Sequence, residues 1–245
     1  VQSMSETSTK VFILEVMGRN AGWMAASSAL ARTTNEYAPH IILLPEVTFN
    51  QKDFLALVKH VVAKHGYCVV VVSEGVKNSK GKFLAESDRR DAFGHSQLGG
   101  IAPFITELIN NKLKIKNHWA VADYLQRSAR HIASKVDLEQ AQAVGSFAIK
   151  YALAGMNGVM PIIVRNKGSK YKWSIEAAPL SKIANLEKKL PKSFISKNGM
   201  NVTQKAIDYL MPLIQGETHP PYKNGIPLTK EFKLIKAVKK LPKWK

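Results

Sequence analysis

Along the first half of the chain, short unbroken apolar runs alternate with stretches whose apolar residues recur at helical spacing. Val11 to Val16 is the first run, β-branched or large throughout except at Glu15, and it breaks off at Gly18-Arg19. Such a run predicts a strand buried on both faces of a parallel sheet. Ala21 to Ala31 carries strong helix formers and ends at Arg32 before Thr33 to Asn35, predicting a tight strand-to-helix turn. His40 to Leu44 reads as a second strand, stopped by Pro45. Asn50 then caps a helix in which Phe54, Leu55, Leu57, Val58, Val61 and Val62 recur, and Gly66 ends it. Tyr67 to Ser73 is a third strand, terminating in Ser73-Glu74-Gly75. Strands separated by helices predict an α/β fold, a doubly wound, mostly parallel sheet with helices on both faces.

Between Val76 and Gly100 the pattern dissolves into Lys, Gly, Ser and charged residues, including Glu86 to Asp91. Loops this long inside a domain are usually functional or mobile. Ile101 to Leu113 follows as a helix with Pro103 in its first turn, and Trp119 to Tyr124 as a further strand. Asp137 to Gln140 has the form of a capping box for a helix to about Ala154, with Val144, Phe147, Ala148, Tyr151 and Ala152 as its apolar stripe. Gly155 closes it. Val159 to Val164 and Trp173 to Ala177 read as later strands, the first an edge because of Pro161. A helix from Val202 to about Ile214, capped by Asn201, precedes Pro220-Pro221 and a basic tail.

Composition narrows the class. The 245 residues are 45% hydrophobic, enough for one large domain or two small ones. No run approaches the roughly 18 apolar residues of a membrane span, and the first residues show no secretory pattern. A single cysteine, Cys68, excludes an intrachain disulfide and points to the reducing cytoplasm. The formal charge of +18 favours anionic partners. Much of the excess is lysine scattered over predicted helix surfaces and gathered in Lys230 to Lys245, and without a zinc-ligand, RNP or helix-turn-helix pattern nucleic-acid binding rests on charge alone and is set aside.

In open α/β sheets ligands sit beyond the carboxyl ends of the strands. Three predicted strands end in polar residues there: Met17-Gly18-Arg19, Ser73-Glu74-Gly75, and Asp123 to His131 with Tyr124, Gln126, Arg127, Arg130 and His131. An arginine can neutralise phosphate and a carboxylate can accept from sugar hydroxyls, although either also serves in structural ion pairs. Backbone N–H groups at the Gly18 turn suit an oxyanion, unless the glycine merely supplies its backbone angles. His95, with no nucleophile beside it, reads as a structural histidine rather than a base.

Glu15-Val-Met-Gly-Arg-Asn-Ala-Gly-Trp23, then Val-Ser-Glu-Gly75, then Asp123-Tyr-Leu-Gln-Arg127, in this order, resemble the phosphofructokinase family. Gly94 to Gly100 and Asp123 to Ser134 are similar to its pyrophosphate-dependent bacterial branch, and the likeness spans at least Lys10 to Arg165. The resemblance implies phosphoryl transfer to the 1-hydroxyl of fructose 6-phosphate, with Mg²⁺ and with diphosphate rather than ATP as donor. It implies that Met17, Gly18 and Arg19 bind substrate, that Glu74 holds a sugar hydroxyl, and that Tyr124, Leu125, Gln126 and Arg127 hold the 6-phosphate. Tyr124 stands where a histidine is common in the short enzymes of the family. Lys10 falls where an arginine reaches the neighbouring subunit's 6-phosphate, which implies a homo-oligomer.

The family's glycine-rich donor loop, Mg²⁺ aspartate and Thr-Ile-Asp-Asn-Asp stretch are nowhere in these 245 residues. The expectation is therefore an acceptor-binding, carboxyl-terminal part of the enzyme, inactive alone, with no catalytic or metal residue of its own. Residues 1–126 would form the acceptor domain, 127–165 would pack on an amino-terminal donor half, and 166–245 would be an extension ending in the basic tail. The alternative is a non-catalytic sugar-phosphate-binding or assembly subunit.

Overall fold

The computed structural model describes residues 2–32, 37–84, 100–168 and 170–230, the backbone of 86–90 and 96–98, and Lys233, Ile235 and Val238. His95, Thr33 to Asn35 and most of the basic tail lie outside the described residues. In chain order come β1 (Val11–Val16), α1 (Trp23–Ser27), β2 (Ile41–Leu43), α2 (Gln51–His65), β3 (Cys68–Ser73) and a hairpin of β4 (Glu86–Arg90) and β5 (Ser96–Leu98). Then follow α3 (Ile101–Leu113), β6 (Asn117–Val121), α4 (Leu125–Ser128), α5 (Lys135–Leu153), a hairpin of β7 (Val159–Arg165) and β8 (Trp173–Pro179), and α6 (Gln204–Leu210). A last ribbon joins β9 (Tyr222–Lys223) and β10 (Ile226–Pro227).

The central sheet is wholly parallel, in the order β2-β3-β1-β6, with Val11 opposite Cys68 and Val16 opposite Ser73. Alternation along the strands sends side chains to two separate cores. Val11, Ile13, Ile41, Leu43, Cys68, Val70 and Val72 pack under α2 and α3, while Val16, Ile42, Leu44 and Val71 pack under α1 and α6. Each fully buried aliphatic of this size contributes roughly 1.5–3 kcal/mol, so both layers are strongly held. Cys68 is one of these core residues, and burial pushes its thiol up to about 12.

Glu15, the polar break in the first run, follows Val11 and Ile13 on the α2/α3 face and is only 2% exposed. Its Oε1 accepts the Gly100 N–H at 3.2 Å and its Oε2 the Ala102 N–H at 2.9 Å. The carboxylate thus closes the amino end of α3, where the capping position is a glycine without a side chain to do so. Burial pushes its carboxyl above the usual 4.5, the backbone N–H bonds pull it back, and the Glu74 charge adds to the rise.

Four predicted boundaries move, each for a local reason. After β1 the helix is α1 and then a 3-10 turn, Ser28–Ala31, because the Ser27 and Ser28 hydroxyls donate to carbonyls three residues back and tighten the coil. β6 stops at Val121, since Asp123 takes φ 38° and turns the chain. The cap of α5 is Ser134, whose Oγ accepts the Asp137 N–H, while Gln140 reaches the Tyr171 hydroxyl at 2.6 Å. Asn201 does not cap α6; it accepts from Arg32 at 2.8 Å and donates to the His40 carbonyl at 3.1 Å.

β7 and β8 pair antiparallel over their full length as a two-stranded ribbon, which leaves Pro161 on an edge. Beyond them Leu190, Val202, Ala206 and Leu210 return to the α1 face. Among the described residues no helix is long and apolar enough to cross a membrane.

Candidate functional site

β1 and β3 are neighbours, yet the helix after β1 lies on one face and the helix after β3 on the other. Their carboxyl ends therefore part into a crevice, the switch point at which sheets of this type bind ligands. The Gly18 N–H donates to Glu74 Oε1 at 3.0 Å across 56 positions of sequence. The Met17 N–H donates to Gln126 Oε1 at 2.9 Å across 109. Ser73 Oγ donates to the Gly18 carbonyl at 2.6 Å, and the Glu74 N–H to the Val16 carbonyl at 3.0 Å.

Close backbone crossing completes the junction. A Cβ at Gly75 would stand 1.8 Å from the Arg19 carbonyl oxygen, so only glycine lets the two loops touch. Met17, Gly18, Arg19, Glu74 and Gln126 are thereby held at one edge of the sheet.

Tyr124, Leu125 and Arg127 belong to the same α4 turn and are exposed. The Arg127 guanidinium sits 5.7 Å from the Tyr124 ring centroid, a cation–π stack that limits its wandering. Arg130, expected among the anion donors, instead gives its Nη1 hydrogen to the Thr218 carbonyl at 2.8 Å.

One expectation changes. The turn amides predicted to cradle an oxyanion already have acceptors: Gln126 for Met17, Glu74 for Gly18 and Glu46 for Gly22. Lys10 lies at the opposite end of β1, its N–H on the Lys116 carbonyl and its own carbonyl taking the Cys68 N–H. The length of the strand, roughly 20 Å, separates it from Met17, so within one chain Lys10 is not part of this crevice.

Two residues of the site, Glu46 and Asn20, were not foreseen. Glu46 Oε1 accepts both the Gly22 N–H at 2.9 Å and the Leu190 N–H at 2.8 Å, while its buried Oε2 has no hydrogen-bond partner among the described residues. Asn20 accepts from Lys77 Nζ at 3.3 Å and donates to Glu187 at 2.6 Å. Glu46 follows the second strand as Glu74 follows the third, and that parallel was a readable signal; the Asn20 contacts had none. Among the described residues no group of three or more His, Cys, Asp or Glu side chains could hold a metal ion. The residues at the crevice do not make up an oxygen-rich Mg²⁺ site. The sheet edge brings together the Glu74 carboxylate, the Gln126 amide and the chain positions of Arg19 and Arg127.

The family model described as phosphofructokinase matches residues 1–152. The pyrophosphate–fructose 6-phosphate 1-phosphotransferase of Halomonas elongata is 50% identical over 245 residues, all of this chain and 58% of that protein. That of Methylococcus capsulatus is 53% identical over 227 residues, 93% of this chain and 54% of that protein. Among solved structures, the pyrophosphate-dependent phosphofructokinase of Marinobacter aquaeolei superposes with a TM-score of 0.80 at 47% identity, over 95% of this chain and 57% of that one. The chain thus spans a little over half the length of these relatives. With Met-Gly-Arg, Ser-Glu-Gly and Tyr-Leu-Gln-Arg drawn to one sheet edge and the family model covering more than half of the sequence, the chain belongs to the phosphofructokinase family.

Proposed function

We propose that this chain is the acceptor-binding part of a diphosphate–fructose-6-phosphate 1-phosphotransferase, converting fructose 6-phosphate to fructose 1,6-bisphosphate. The observation that carries it is the convergence of the loops after β1, β3 and β6, in a chain half identical along its whole length to a relative of that name. Arg127, steadied by Tyr124, holds the 6-phosphate with the Leu125 and Gln126 turn. Glu74 takes a hydrogen bond from a sugar hydroxyl while its Oε1 keeps Gly18 in place, and Met17 to Arg19 form the wall beside it. Lys10, at the far edge, serves the 6-phosphate of a second copy in a homo-oligomer. Diphosphate and Mg²⁺ are handled by groups other than those described here, in a donor part or a partner chain, and the assembly works in the cytoplasm.

The test is titration calorimetry on the polypeptide together with its donor part, using fructose 6-phosphate and fructose. Arg127→Ala loses a charge-assisted contact worth about 1.5–3 kcal/mol, so fructose 6-phosphate weakens roughly ten- to a hundredfold and fructose hardly at all. Glu74→Gln weakens both sugars by a similar factor. Unchanged fructose 6-phosphate binding in Arg127→Ala overturns the reading. Production of fructose 1,6-bisphosphate with diphosphate but not ATP tests the donor, and binding without turnover would mark a non-catalytic subunit.

A further inference from the structure

The loop from Met17 to Trp23 is gripped from a second side, by residues outside the 1–152 span of the family model. After the 3-10 turn Leu180–Lys182 the chain runs without helix or strand past Glu187 to Leu190, so contacts must fix its path. Four do so. Glu187 Oε1 accepts from Asn20 Nδ2 at 2.6 Å, and the Lys188 carbonyl accepts from Trp23 Nε1 at 2.7 Å. The Lys188 ammonium lies 6.0 Å from the Trp23 ring centroid. Glu46 Oε1 joins the Leu190 N–H to the Gly22 N–H, and the Leu190 side chain, 4% exposed, is sunk in the α1 core.

The Asn20 amide is the informative member. Its oxygen takes the Lys77 ammonium at 3.3 Å and its nitrogen gives to the Glu187 carboxylate, so a cation and an anion on opposite sides fix which way the amide faces. Asn20 adjoins Arg19, whose carbonyl is pressed against Gly75. With the backbone held on both sides of it, Arg19 has little freedom at its Cα. A guanidinium costs less to bind with when its stem is already placed.

We propose that Glu187–Leu190 is a positioning strap for the Met17–Trp23 loop, and that Glu187, acting through Asn20, sets the affinity of the site for its phosphosugar. The affinity part rests on the sugar-phosphate reading above; the strap itself does not. Glu187 is a positioning residue, since it acts on the site only through Asn20. It is exposed, so its replacement spares the fold.

Two measurements on the polypeptide together with its donor part test this. In steady-state kinetics, Glu187→Ala raises KM for fructose 6-phosphate about tenfold, with kcat and KM for diphosphate held within twofold. Glu187→Gln, which keeps a carbonyl oxygen for the Asn20 amide, recovers most of the loss. In hydrogen exchange without substrate, amides of Met17 to Trp23 exchange faster in Glu187→Ala than in the parent and return toward it in Glu187→Gln. Unchanged exchange overturns the strap, and unchanged KM, or an equal rise for both substrates, overturns the affinity role. A parent enzyme that does not take fructose 6-phosphate overturns the sugar-phosphate reading instead, and the exchange arm then still decides the strap.

Discussion

Two helices of this chain carry similar apolar patterns and meet different fates. α3, 13 residues long, buries Ile101, Ala102, Ile105 and Ile109 completely against the parallel sheet. α5, 19 residues long, has Gln140 as its one buried residue among those described. The stripe expected for α5 is partly covered: Val144, Phe147 and Tyr151 are half-buried, with the Phe147 and Tyr151 rings 5.8 Å apart. Its neighbours Ile149 and Leu153 are 63% and 84% exposed, and Met160 and Ile163 on β7 are open as well. The difference is what each helix lies on. Four strands with helices on both faces enclose α3, whereas a two-stranded ribbon has too little surface to enclose α5. Periodicity says which side of a helix is apolar, and only the partner decides whether that side is dry.

Replacing one glycine by alanine in each region should break the comparison open most widely. In the Gly75→Ala variant the new methyl meets the Arg19 carbonyl at 1.8 Å, a backbone atom that cannot swing away. A loss of about 4 kcal/mol or more, in the exceptional class for one substitution, is expected in urea denaturation, with loss of fructose 6-phosphate binding. Gly145, inside α5, has nothing within 4 Å of its virtual Cβ. Gly145→Ala should therefore stabilise by about 0.5–1 kcal/mol, through helix propensity alone. Equal effects would mean that the two loops at the site do not cross as described.

Truncation of an isoleucine in each helix is the next test. Ile105→Ala empties a fully buried position and should cost about 2–5 kcal/mol. Ile149→Ala should stay within about 0.5 kcal/mol when no partner covers the helix. If another chain segment or a second copy does cover α5, the cost at Ile149 rises toward that at Ile105, so the pair measures coverage directly.

β1, β2, β3 and α3 were legible because a strand buried on both faces must be a continuous apolar run, and Ile101–Leu113 matched at both ends. The strand ends that meet at one edge of the sheet were legible for the same reason. The partners were not: the Met17 contact with Gln126 spans 109 positions, and no local pattern encodes it. Asp123 gave no sign of its φ of 38°, so the turn that sets Tyr124 to Arg127 in place was read as strand. Lys10 is a different case. It immediately precedes the strand that Met17 follows, and a six-residue strand already keeps the two apart.

The smallest expected effect concerns how each helix is started. α5 is capped by its own Ser134 hydroxyl, a neutral group. α3 is closed by the Glu15 carboxylate from a buried strand, and burial holds that carboxyl above 4.5 in the folded protein. Folding therefore disfavours its ionised form relative to the unfolded chain. The sign follows: this contribution is fully present below the unfolded value of 4.5 and is lost as pH rises through the raised folded value. In the Glu15→Gln variant nothing titrates at this position. The stability of the parent relative to Glu15→Gln should therefore fall as pH is raised from about 4.5 towards neutrality, then level off. The Gly100 and Ala102 N–H bonds favour the ionised form and keep the fall modest. Urea titrations of both proteins across that range supply the difference. A difference that rises with pH would mean that the two N–H bonds outweigh burial, and that α3 gains rather than loses from the charge at its start.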